Sequence, residues 1–529
     1  MSPATEPAEA AKTAEARKTV EARKTAAAAA EPAKVIGVLG AGTMGAGIAQ
    51  LACRAGARTL LHDPIPEALQ RGAERVRAGL QKEADKGRLS TEEALAAAQR
   101  LEVADAIEQL APCELVIEAA PERAELKREL YERLSQIVGA ECVLATNTSS
   151  LPVTGIAAAA SHPERVVGMH FFNPAPLMRL LEVVAGERSG EPALAIARAT
   201  GEAMGKDVIL ASDGPGFLVN RCNRPFGLEA LRLLQERIAG VPEIDTICRL
   251  GGGFRMGPFE LMDLVGVDTG FEISQSFYAL SFGEPRWRPS PIAARYVAAG
   301  LHGRKSGRGY YDYSGEGPHR PPDPEPPPRS AGARVQGKGP LAEALRTLAA
   351  TGDRPSGMST LAATGDRPSG VSAPAAAPPD DVQVDGVDTP EIVVDGLGGS
   401  VAGEPFYSLT PLALVEVTGA AGERAFAGLG LHTARVEPCP GGVLGRIVCQ
   451  LVNECAFALG EGVGSARDID TGMVLGLNHP RGPLAWADML GPERVLAVLD
   501  ALWAEYREER YRAAPALRRL VRASGRFLA

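Results

Sequence analysis

The sequence lacks paired cysteines, long apolar runs and an excess of positive charge. Its eight cysteines are scattered, with no CxxC pair and no neighbouring histidine, so we expect reduced thiols, no metal site and a cytoplasmic protein. No apolar run approaches the roughly 18–20 residues that span a membrane, and the first thirty residues lack the apolar segment of a secretory signal. The net charge of -9 argues against nucleic-acid binding as the main function.

The character of the sequence changes along the chain. Residues 1–33 are mostly Ala, Glu, Lys and Arg with no apolar face to bury, which predicts a disordered tail. From Val35 onward, β-type apolar runs alternate with helical patterns. This alternation predicts an α/β domain with a Rossmann-type, doubly wound, mostly parallel sheet over residues 34–213. Residues 214–313 read as helical and predict an all-α domain.

The C-terminal part of the chain repeats the helical pattern. The tripeptide IDT at residues 244–246 recurs at 469–471, and Asp263 recurs as Asp488, with the same offset of 225 residues. We therefore predict a second, degenerate and non-catalytic all-α copy over residues 437–529. A shortened remnant of the sheet domain is predicted to precede it, over residues 379–436. Residues 314–378 are rich in Pro and Gly, contain TLAATGDRPSG twice and are predicted to form a linker.

A glycine-rich turn follows the first predicted strand. Gly40, Gly42 and Gly45 form GxGxxG between the strand VIGVL and a helix, and Asp63 ends the next strand. Gly40 permits the tight turn, Gly42 lets a pyrophosphate approach the backbone, and Gly45 allows close packing of helix and strand. A carboxylate at Asp63 would accept hydrogen bonds from ribose hydroxyls and repel a 2′-phosphate. The pattern predicts NAD binding in preference to NADP; the alternative is a turn of this shape without a cofactor.

One histidine and one glutamate are placed for acid–base chemistry. Among seven histidines, only His170 ends a predicted strand and leads into a polar turn, Asn173-Pro174. Glu182 lies in the following strand, and a hairpin-like return would bring it beside His170. Alcohol oxidation needs a base for the hydroxyl proton, and a carboxylate behind a histidine orients that base. Taken alone, such a histidine is more often structural and such a glutamate more often faces solvent.

Two further polar residues are candidates for holding a substrate oxygen. Ser149 follows the predicted strand CVLATN, at a carboxyl end where the ligand crevice of such a sheet lies. Asn220 lies in the first turn of the helix that follows DGPGF. A hydroxyl and an amide aimed at the substrate oxygen would stabilise its developing negative charge. Each residue by itself would more often be a helix cap.

With these residues together, the sequence resembles the L-3-hydroxyacyl-CoA dehydrogenases over about 280 residues, from Lys34 to Tyr313. The similarity lies in GAGTMGAGIAQ, VIEAAPE, NTSSL, HFFNP with a trailing Glu, DGPGFLVNR, MGPFELMDLVG and GRKSGRGYY. It implies NAD-dependent oxidation of an (S)-3-hydroxyacyl-CoA to a 3-oxoacyl-CoA, in fatty-acid, butyrate or aromatic-acid catabolism. The repeated helical part resembles the tandem helical domain of longer bacterial members.

The resemblance also implies roles for individual residues. His170 would be the base, Glu182 its partner, and Ser149 and Asn220 the ligands of the substrate oxygen. The implied NAD contacts are Gly40, Ala41, Gly42, Thr43, Met44, Gly45, Asp63, Glu122, Lys127, Ser149, Asn173 and Lys305. A helical arm over residues 67–99 would cover the CoA, with Lys86 as the candidate phosphate or pantetheine contact. The alternative for Lys86 is an exposed helical face.

The second half departs from the family where the chemistry would lie. His170 aligns with Pro405, Asn173 with Ser408 and Asn220 with Gly445, and only Glu182 keeps a counterpart, Glu416. We therefore expect no second active site. The two helical copies are instead expected to pair within the chain, with Leu261 and Leu484 near a pseudo-twofold axis. Such pairing is compatible with a homodimer of whole chains.

Two other classes of protein remain as alternatives. A dehydrogenase of free 3-hydroxy acids would carry a lysine base on the helix after the sheet, but residues 216–237 contain no lysine. A catalytically silent NAD-binding relative would be expected to lack His170, Glu182 or Asn220. The acyl group itself is left open, since long members act on 3-hydroxybutyryl-CoA or on 3-hydroxyadipyl-CoA.

Overall fold

The structure, a computed structural model, describes residues 30–528 except 321, 324, 331, 339, 352–390, 396–397, 403 and 410–413. Most of the predicted N-terminal tail and the second copy of TLAATGDRPSG lie outside the described residues. The chain forms two compact units. Unit 1 comprises Met1–Arg221 with Gly462–Leu477, and unit 2 comprises Cys222–Glu461 with Asn478–Ala529. Residues 462–477 belong by sequence to the predicted second helical copy, yet they pack in unit 1 with the first sheet.

Unit 1 is built on an eight-stranded sheet with the order β3-β2-β1-β4-β5-β6-β7-β8. Its strands are β1 Val35–Leu39, β2 Arg58–His62, β3 Leu101–Ala104, β4 Leu115–Glu118, β5 Val143–Thr146, β6 Val166–Phe171, β7 Leu180–Ala185 and β8 Asp207–Ser212. All neighbouring pairs are parallel except β6 and β7. The predicted mostly parallel α/β sheet is confirmed. The two edge strands, β3 and β8, were not identified from the sequence; both are only partly buried.

Helices cover both faces of this sheet. They are α1 Thr43–Arg54, α2 Pro66–Asp85, α3 Thr91–Gln99, α4 Ala124–Ile137, α5 Val153–Ala157, α6 Glu191–Ala203, the first turn of α7 Val219–Gln235 and, from the C-terminal part, α15 Ala466–Leu477. Short 3-10 turns lie at Ile107–Leu110 and Pro163–Arg165. Helix α3 begins at a capping box in which Ser90 and Glu93 each accept the other's backbone N–H. The central strands β4, β5 and β6 are buried along their whole length, as parallel strands between helices must be.

Unit 2 contains a second sheet of six strands, in the order β14-β13-β12-β11-β10-β9. The strands are β9 Arg334–Gly337, β10 Glu391–Asp395, β11 Gly398–Val401, β12 Glu404–Tyr407, β13 Leu414–Val417 and β14 His432–Arg435. Strand β9 and helix α12, Pro340–Thr351, fall in the predicted linker, so that prediction is wrong for these residues. Leu341, Leu345 and Leu348 of α12 are buried with Ile392 in the core of this sheet. The three leucines have the spacing of a helix, but it was not recognised in the sequence because Pro and Gly are frequent in this stretch.

The remaining helices of unit 2 come from both predicted helical copies. They are the rest of α7, α8 Val241–Thr246 with a π-helical turn Ile247–Gly251, α9 Pro258–Val265, α10 Val267–Leu280, α11 Pro291–Ala298, α13 Ala420–Gly428, α14 Gly442–Gly460, α16 Pro483–Leu490, α17 Pro492–Tyr506 and α18 Pro515–Arg522. Short 3-10 turns lie at Pro285–Trp287, Arg304–Ser306 and Glu509–Tyr511. The local geometry repeats with the sequence: Gly266 and Gly491 have φ of 102° and 95°.

Charged and aromatic side chains join the two helical segments inside unit 2. Arg446 of α14 is fully buried and pairs with Glu229 on α7 and with Glu236, which directly follows α7. The rings of Phe254 and Trp486 lie 5.7 Å apart. These contacts are of the kind that the repeat predicts. Leu484 is buried whereas Leu261 is only partly buried, so an axis near Leu261 stays a prediction.

Helix α14 is an exception to the expectation that no segment is apolar enough for a membrane. By length and composition alone, Gly442–Gly460 could cross one, but 94% of its apolar stretch is buried inside the protein. The helix packs against α16, α17 and α18 within unit 2. Its apolar character therefore fits a core helix, which sequence reasoning missed because Arg446, Asn453 and Glu454 interrupt the run.

All eight cysteines are buried, and none forms a disulfide. Burial raises the pKa of the Cys113 thiol to about 12, and that of Cys142 also to about 12. The thiols are therefore protonated at neutral pH and pack as small apolar side chains.

Glu416 of β13 is a buried carboxyl group of unit 2. It is fully buried and accepts hydrogen bonds from the backbone N–H groups of Val443 and Leu444, at the start of α14. Burial raises its pKa to about 7, although the two N–H donors act in the opposite direction. A folded-state pKa above that of the unfolded chain means that protonation stabilises the fold.

We predict that unit 2 loses stability as the pH rises from about 4.5 to 7, because the unfolded chain ionises Glu416 more readily than the folded chain does. A pKa difference of this size corresponds to roughly 3 kcal/mol. Glu416→Gln should remove that part of the pH dependence, measured as the free energy of unfolding in denaturant at pH 5 and pH 8. Glu437→Gln, at an exposed position, is the control. The same pH dependence in both variants would contradict the assignment.

Candidate active site

The glycine turn between β1 and α1 has the close contacts that require glycine. Gly40 has a φ of 101°, and a Cβ atom there would lie 2.6 Å from the carbonyl oxygen of Ala119. A Cβ at Gly45 would lie 1.8 Å from the carbonyl oxygen of Gly40. At Gly42 a Cβ would meet nothing within 4 Å, so this part of the turn is open. The turn therefore packs tightly on two sides and leaves one side free for a ligand.

Asp63 lies beside this turn at the end of β2. Its carboxylate accepts the backbone N–H of Ala41 at 2.8 Å and that of Ile65 at 2.9 Å. Thr43 and Met44 begin α1, where backbone N–H groups and the helix dipole favour a phosphate. These residues fit a dinucleotide, with the open turn for its pyrophosphate and Asp63 for a ribose, as the sequence predicts.

A buried ion pair supports the next loop. Lys127 is 1% exposed, and its ammonium group lies 2.7 Å from Glu118 Oε1 and 3.3 Å from Glu122 Oε2. Glu118 is fully buried and also accepts the hydroxyl of Thr146 at 2.8 Å. Lys127 thus holds two carboxylates, one at the end of β4 and one just before the start of α4, and its direct contact with NAD stays a prediction. Sequence reasoning missed Glu118, although it ends a strand with an acidic residue.

Glu122 in turn organises the NTSS loop. It accepts the hydroxyl of Thr148 at 2.6 Å, the N–H of Ser149 at 2.9 Å and the hydroxyl of Ser150 at 2.9 Å. Burial acts to raise its pKa, but the charge of Lys127 and these donors outweigh it, so the pKa of Glu122 is lowered. Ser149 is exposed, with its Oγ 3.5 Å from Glu122. The loop therefore presents the Ser149 hydroxyl at the surface, where the sequence places a ligand of the substrate.

His170 and Glu182 form the centre of the site. Strands β6 and β7 are antiparallel, and their register places these two residues directly opposite each other. His170 Nδ1 lies 2.6 Å from Glu182 Oε2. Glu182 is fully buried, and the His170 side chain is 8% exposed. With Nδ1 bound to the carboxylate, Nε2 is the ring nitrogen left to exchange a proton with a substrate.

The other oxygen of Glu182 anchors the beginning of α7. Glu182 Oε1 accepts the N–H of Leu218 at 3.1 Å and that of Val219 at 2.9 Å. Asn220 directly follows Val219, so its backbone lies next to a residue that is hydrogen-bonded to Glu182. This placement agrees with the predicted role of Asn220, which stays a prediction.

Two aromatic rings and one amide that the sequence did not point to also surround His170. Phe172 lies 4.6 Å from the imidazole, centroid to centroid, and Phe217 lies 5.8 Å from it. Phe217 has a φ of 52°, a left-handed conformation that is uncommon for a bulky residue. Asn147 accepts the N–H of Phe171 at 2.8 Å and so joins β5 to β6. Aromatic residues next to HFFNP and DGPGF were visible in the sequence, but only the fold shows that they meet.

The turn after β6 is fixed by a buried lysine. Asn173 is exposed and precedes Pro174 through a cis peptide bond. Lys206 donates to the carbonyl groups of Ala175 at 2.5 Å and Met178 at 2.7 Å. Burial lowers the pKa of Lys206 to about 8. The two carbonyl acceptors hold the turn that carries Asn173.

Two lysines that are predicted to contact CoA or NAD, Lys86 and Lys305, are distant from His170 in the sequence. Lys86 is exposed at the carboxyl end of α2, where either predicted role is open to it. Lys305, in unit 2, is about half exposed and pairs with Asp268 at 2.7 Å. Neither observation tests their predicted contacts with CoA or NAD.

The second sheet keeps the glutamate and changes its partner. In β12 and β13 the residue opposite Glu416 is Tyr407, not Pro405. The predicted alignment of His170 with Pro405 is therefore wrong in register, because fewer residues connect Tyr407 to Glu416 than connect His170 to Glu182. Glu416 binds the N–H groups of Val443 and Leu444 as Glu182 binds those of Leu218 and Val219. This arrangement repeats the anchor of a helix without an imidazole base.

Taken together, unit 1 combines a dinucleotide-type turn with a histidine that a buried carboxylate orients. Such a pair can remove a proton from a hydroxyl group while a carbon-bound hydride leaves for a nicotinamide. The family model for "3-hydroxyacyl-CoA dehydrogenase, NAD binding domain" matches residues 35–214. The model for "3-hydroxyacyl-CoA dehydrogenase, C-terminal domain" matches residues 216–313 and 441–526.

Individual relatives agree with these matches. The chain is 35% identical over 502 residues to the 3-hydroxyadipyl-CoA dehydrogenase of Escherichia coli, covering 92% of this chain and 97% of that one. It is 40% identical over 280 residues to a probable 3-hydroxybutyryl-CoA dehydrogenase of Bacillus subtilis, covering 53% and 97%. The crystal structure of an E. coli 3-hydroxybutyryl-CoA dehydrogenase superposes with a TM-score of 0.75 at 33% identity, covering 93% and 99%. The chain belongs to the 3-hydroxyacyl-CoA dehydrogenase family, whose cofactor is NAD.

Proposed function

We propose that this enzyme oxidises the 3-hydroxyl of an (S)-3-hydroxyacyl-CoA to the 3-oxo group. The observation that carries the proposal is the 2.6 Å contact between His170 Nδ1 and Glu182 Oε2 at the end of β6. It gives an alcohol dehydrogenase the one group that NAD does not supply, a base for the hydroxyl proton. NAD, when bound, supplies the acceptor for the hydride released from C3 of the substrate.

Each of the remaining residues around the site has its own role in the proposed reaction. His170 Nε2 takes the hydroxyl proton, and the Glu182 carboxylate stabilises the imidazolium and fixes the orientation of the ring. The Ser149 hydroxyl and the Asn220 amide donate to the substrate oxygen as negative charge develops on it. Phe172 and Phe217 restrict water around the imidazole, which strengthens these interactions.

The acyl group and the pathway are finer parts of the proposal. One relative that matches the chain along nearly its whole length is named for 3-hydroxyadipyl-CoA, and one structure that matches over a similar length is named for 3-hydroxybutyryl-CoA. We propose one of these two acyl groups for the substrate, and catabolism of fatty, butyric or aromatic acids as the setting. We further propose that pairing between the helical segments within one chain, as at Arg446 and Glu229, replaces pairing between chains. We also propose a cytoplasmic location, which fits buried cysteines that form no disulfide.

The base assignment predicts that His170→Gln lowers kcat roughly 10²–10⁴-fold, the usual contribution of a general base, with little change in NAD binding. Glu182→Gln should lower kcat and move the acid limb of the pH–rate profile to lower pH, because the lost charge no longer stabilises imidazolium. His162→Gln, at an exposed histidine, should leave kcat unchanged. Near wild-type turnover in His170→Gln would refute the assignment.

The position of Asp63 predicts a strong preference for NAD over NADP. Asp63→Asn keeps an oxygen that can accept the Ala41 N–H but removes the negative charge that repels a 2′-phosphate. We expect the ratio of kcat/KM for NAD to that for NADP to fall at least about tenfold, which corresponds to roughly 1.4 kcal/mol. Asp85→Asn, an exposed change at the end of α2, is the control. An unchanged ratio in Asp63→Asn would remove Asp63 from the ribose contact.

The function itself is tested by NADH formation from a panel of substrates. The panel contains (S)-3-hydroxybutyryl-CoA, (S)-3-hydroxyadipyl-CoA, longer (S)-3-hydroxyacyl-CoA esters and the corresponding free acids. We expect oxidation of CoA esters, with kcat/KM near the common range of about 10⁴–10⁸ M⁻¹s⁻¹ for the best one. Turnover of the free acids with none of the CoA esters would overturn the proposal.

A further inference from the structure

Helix α15 belongs by sequence to the C-terminal part of the chain but packs in unit 1. The segment Gly462–Leu477 is attached to the end of β8, where the N–H of Ser212 donates to the Val463 carbonyl at 2.8 Å. The Ser212 hydroxyl donates to the Gly462 carbonyl at 3.1 Å. From there α15 lies against β7 and β8. The sheet that carries His170 and Glu182 is therefore covered by a helix that follows it by more than two hundred residues.

Two glycines let α15 approach closely. A Cβ atom at Gly472 would lie 2.7 Å from a methyl group of Val219. A Cβ at Gly476 would lie 2.7 Å from Leu180 and 3.4 Å from the ring of Phe172. Cβ atoms in proteins essentially never lie within 3.0 Å of a neighbouring atom, so even an alanine at either position would move a neighbour.

The neighbours of these glycines are the residues that hold the catalytic pair. Val219 donates its N–H to Glu182 Oε1 at 2.9 Å. The ring of Phe172 lies 4.6 Å from the ring of His170. Movement of Val219 would loosen the anchor of the carboxylate, and movement of Phe172 would change the packing of the imidazole.

Unit 2 contains the same arrangement around Glu416. Gly251 ends the π-helical turn of the first helical segment, and a Cβ there would lie 3.3 Å from Leu444 and 3.6 Å from Leu414. Leu444 donates its N–H to Glu416 at 2.9 Å. Gly251 and Gly476 are separated by the repeat offset of 225 residues. In each unit, a glycine from one helical segment thus supports the glutamate of the other segment's sheet.

We propose that Gly472 and Gly476 are positioning residues for the reaction, and that α15, from the C-terminal part of the chain, supports the residues that align the catalytic pair. The inference rests on the proposed function, because it assumes that His170 and Glu182 perform the chemistry. It assigns the C-terminal segment a direct part in aligning them, in addition to packing between helices. Small displacements of catalytic groups are costly, since about 1 Å of misplacement can lower a rate by roughly 10²-fold.

The test compares matched glycine substitutions in the full-length enzyme. Gly476→Val and the milder Gly472→Ala should lower kcat roughly 10–100-fold, with the KM for NAD nearly unchanged. The acid limb of the pH–rate profile should also move to lower pH, as in Glu182→Gln, because the carboxylate is less well aligned with the imidazole. Gly251→Val places a side chain against the non-catalytic Glu416 anchor and is the control. It should lower the melting temperature yet leave kcat and the pH profile unchanged.

A second pair of variants separates positioning from general damage. Val219→Ala removes the methyl group that the new Cβ of Gly472→Ala would contact, while its backbone N–H remains available to Glu182. The double variant should recover most of the kcat lost in Gly472→Ala, which is a coupling that independent sites do not show. If Gly476→Val does not fold, Gly472→Ala and its double variant with Val219→Ala still test the proposal.

Each outcome has one meaning. Wild-type kcat and pH profile in Gly472→Ala and Gly476→Val would overturn the proposal, and so would an equal loss of kcat in Gly251→Val or no recovery in the double variant. If the wild-type enzyme oxidises none of the CoA esters, the proposed function fails instead.

Discussion

The buried carboxylate of Glu182 is the constraint on which the catalytic half of this protein depends. A carboxylate without solvent must be satisfied by hydrogen bonds or by an opposite charge, or its burial becomes strongly unfavourable. Here one oxygen lies 2.6 Å from the imidazole of His170, and the other accepts two backbone N–H groups at the start of α7. The same group therefore orients the base and fixes the entry of the chain into its helical part, which carries Asn220. Chemistry and folding share a single set of contacts, so a change to either affects both.

The second sheet shows what this constraint becomes when the histidine is absent. Glu416 retains the two backbone donors at the start of α14, but the residue opposite it is Tyr407. Burial without an imidazole raises the pKa of Glu416 to about 7. The two turns also share a left-handed residue: Phe217 has a φ of 52° and Gly442 a φ of 63°. The first site places an aromatic ring in this strained position beside His170, and the second uses glycine, which adopts it at little cost.

Sequence alone predicted the parts of the site that depend on local pattern. The glycine turn, Asp63 and the hairpin that joins His170 to Glu182 follow from the order of strands and turns, and the structure has them in that arrangement. The parts that depend on distant packing were not predictable. Nothing in the sequence near Lys127 shows that its ammonium group is buried between two carboxylates. Strand β9 and helix α12 lie in a Pro- and Gly-rich stretch, and this composition indicated a linker although the leucines of α12 have helical spacing. The register of β12 was misjudged because hairpin length is not encoded in residue type.

The packing of α15 in unit 1 changes how the duplicated half is understood. A constant repeat offset predicts two similar segments, and the natural expectation is that each completes its own half of the chain. The contacts of Gly476 with Leu180, and of Gly251 with Leu414, are instead exchanged between halves. The glycines of α15 can therefore serve the first sheet although the second sheet has Tyr407, not a histidine, opposite its glutamate. Because α15 is on the same chain as the first sheet, its effective concentration there does not depend on a second molecule.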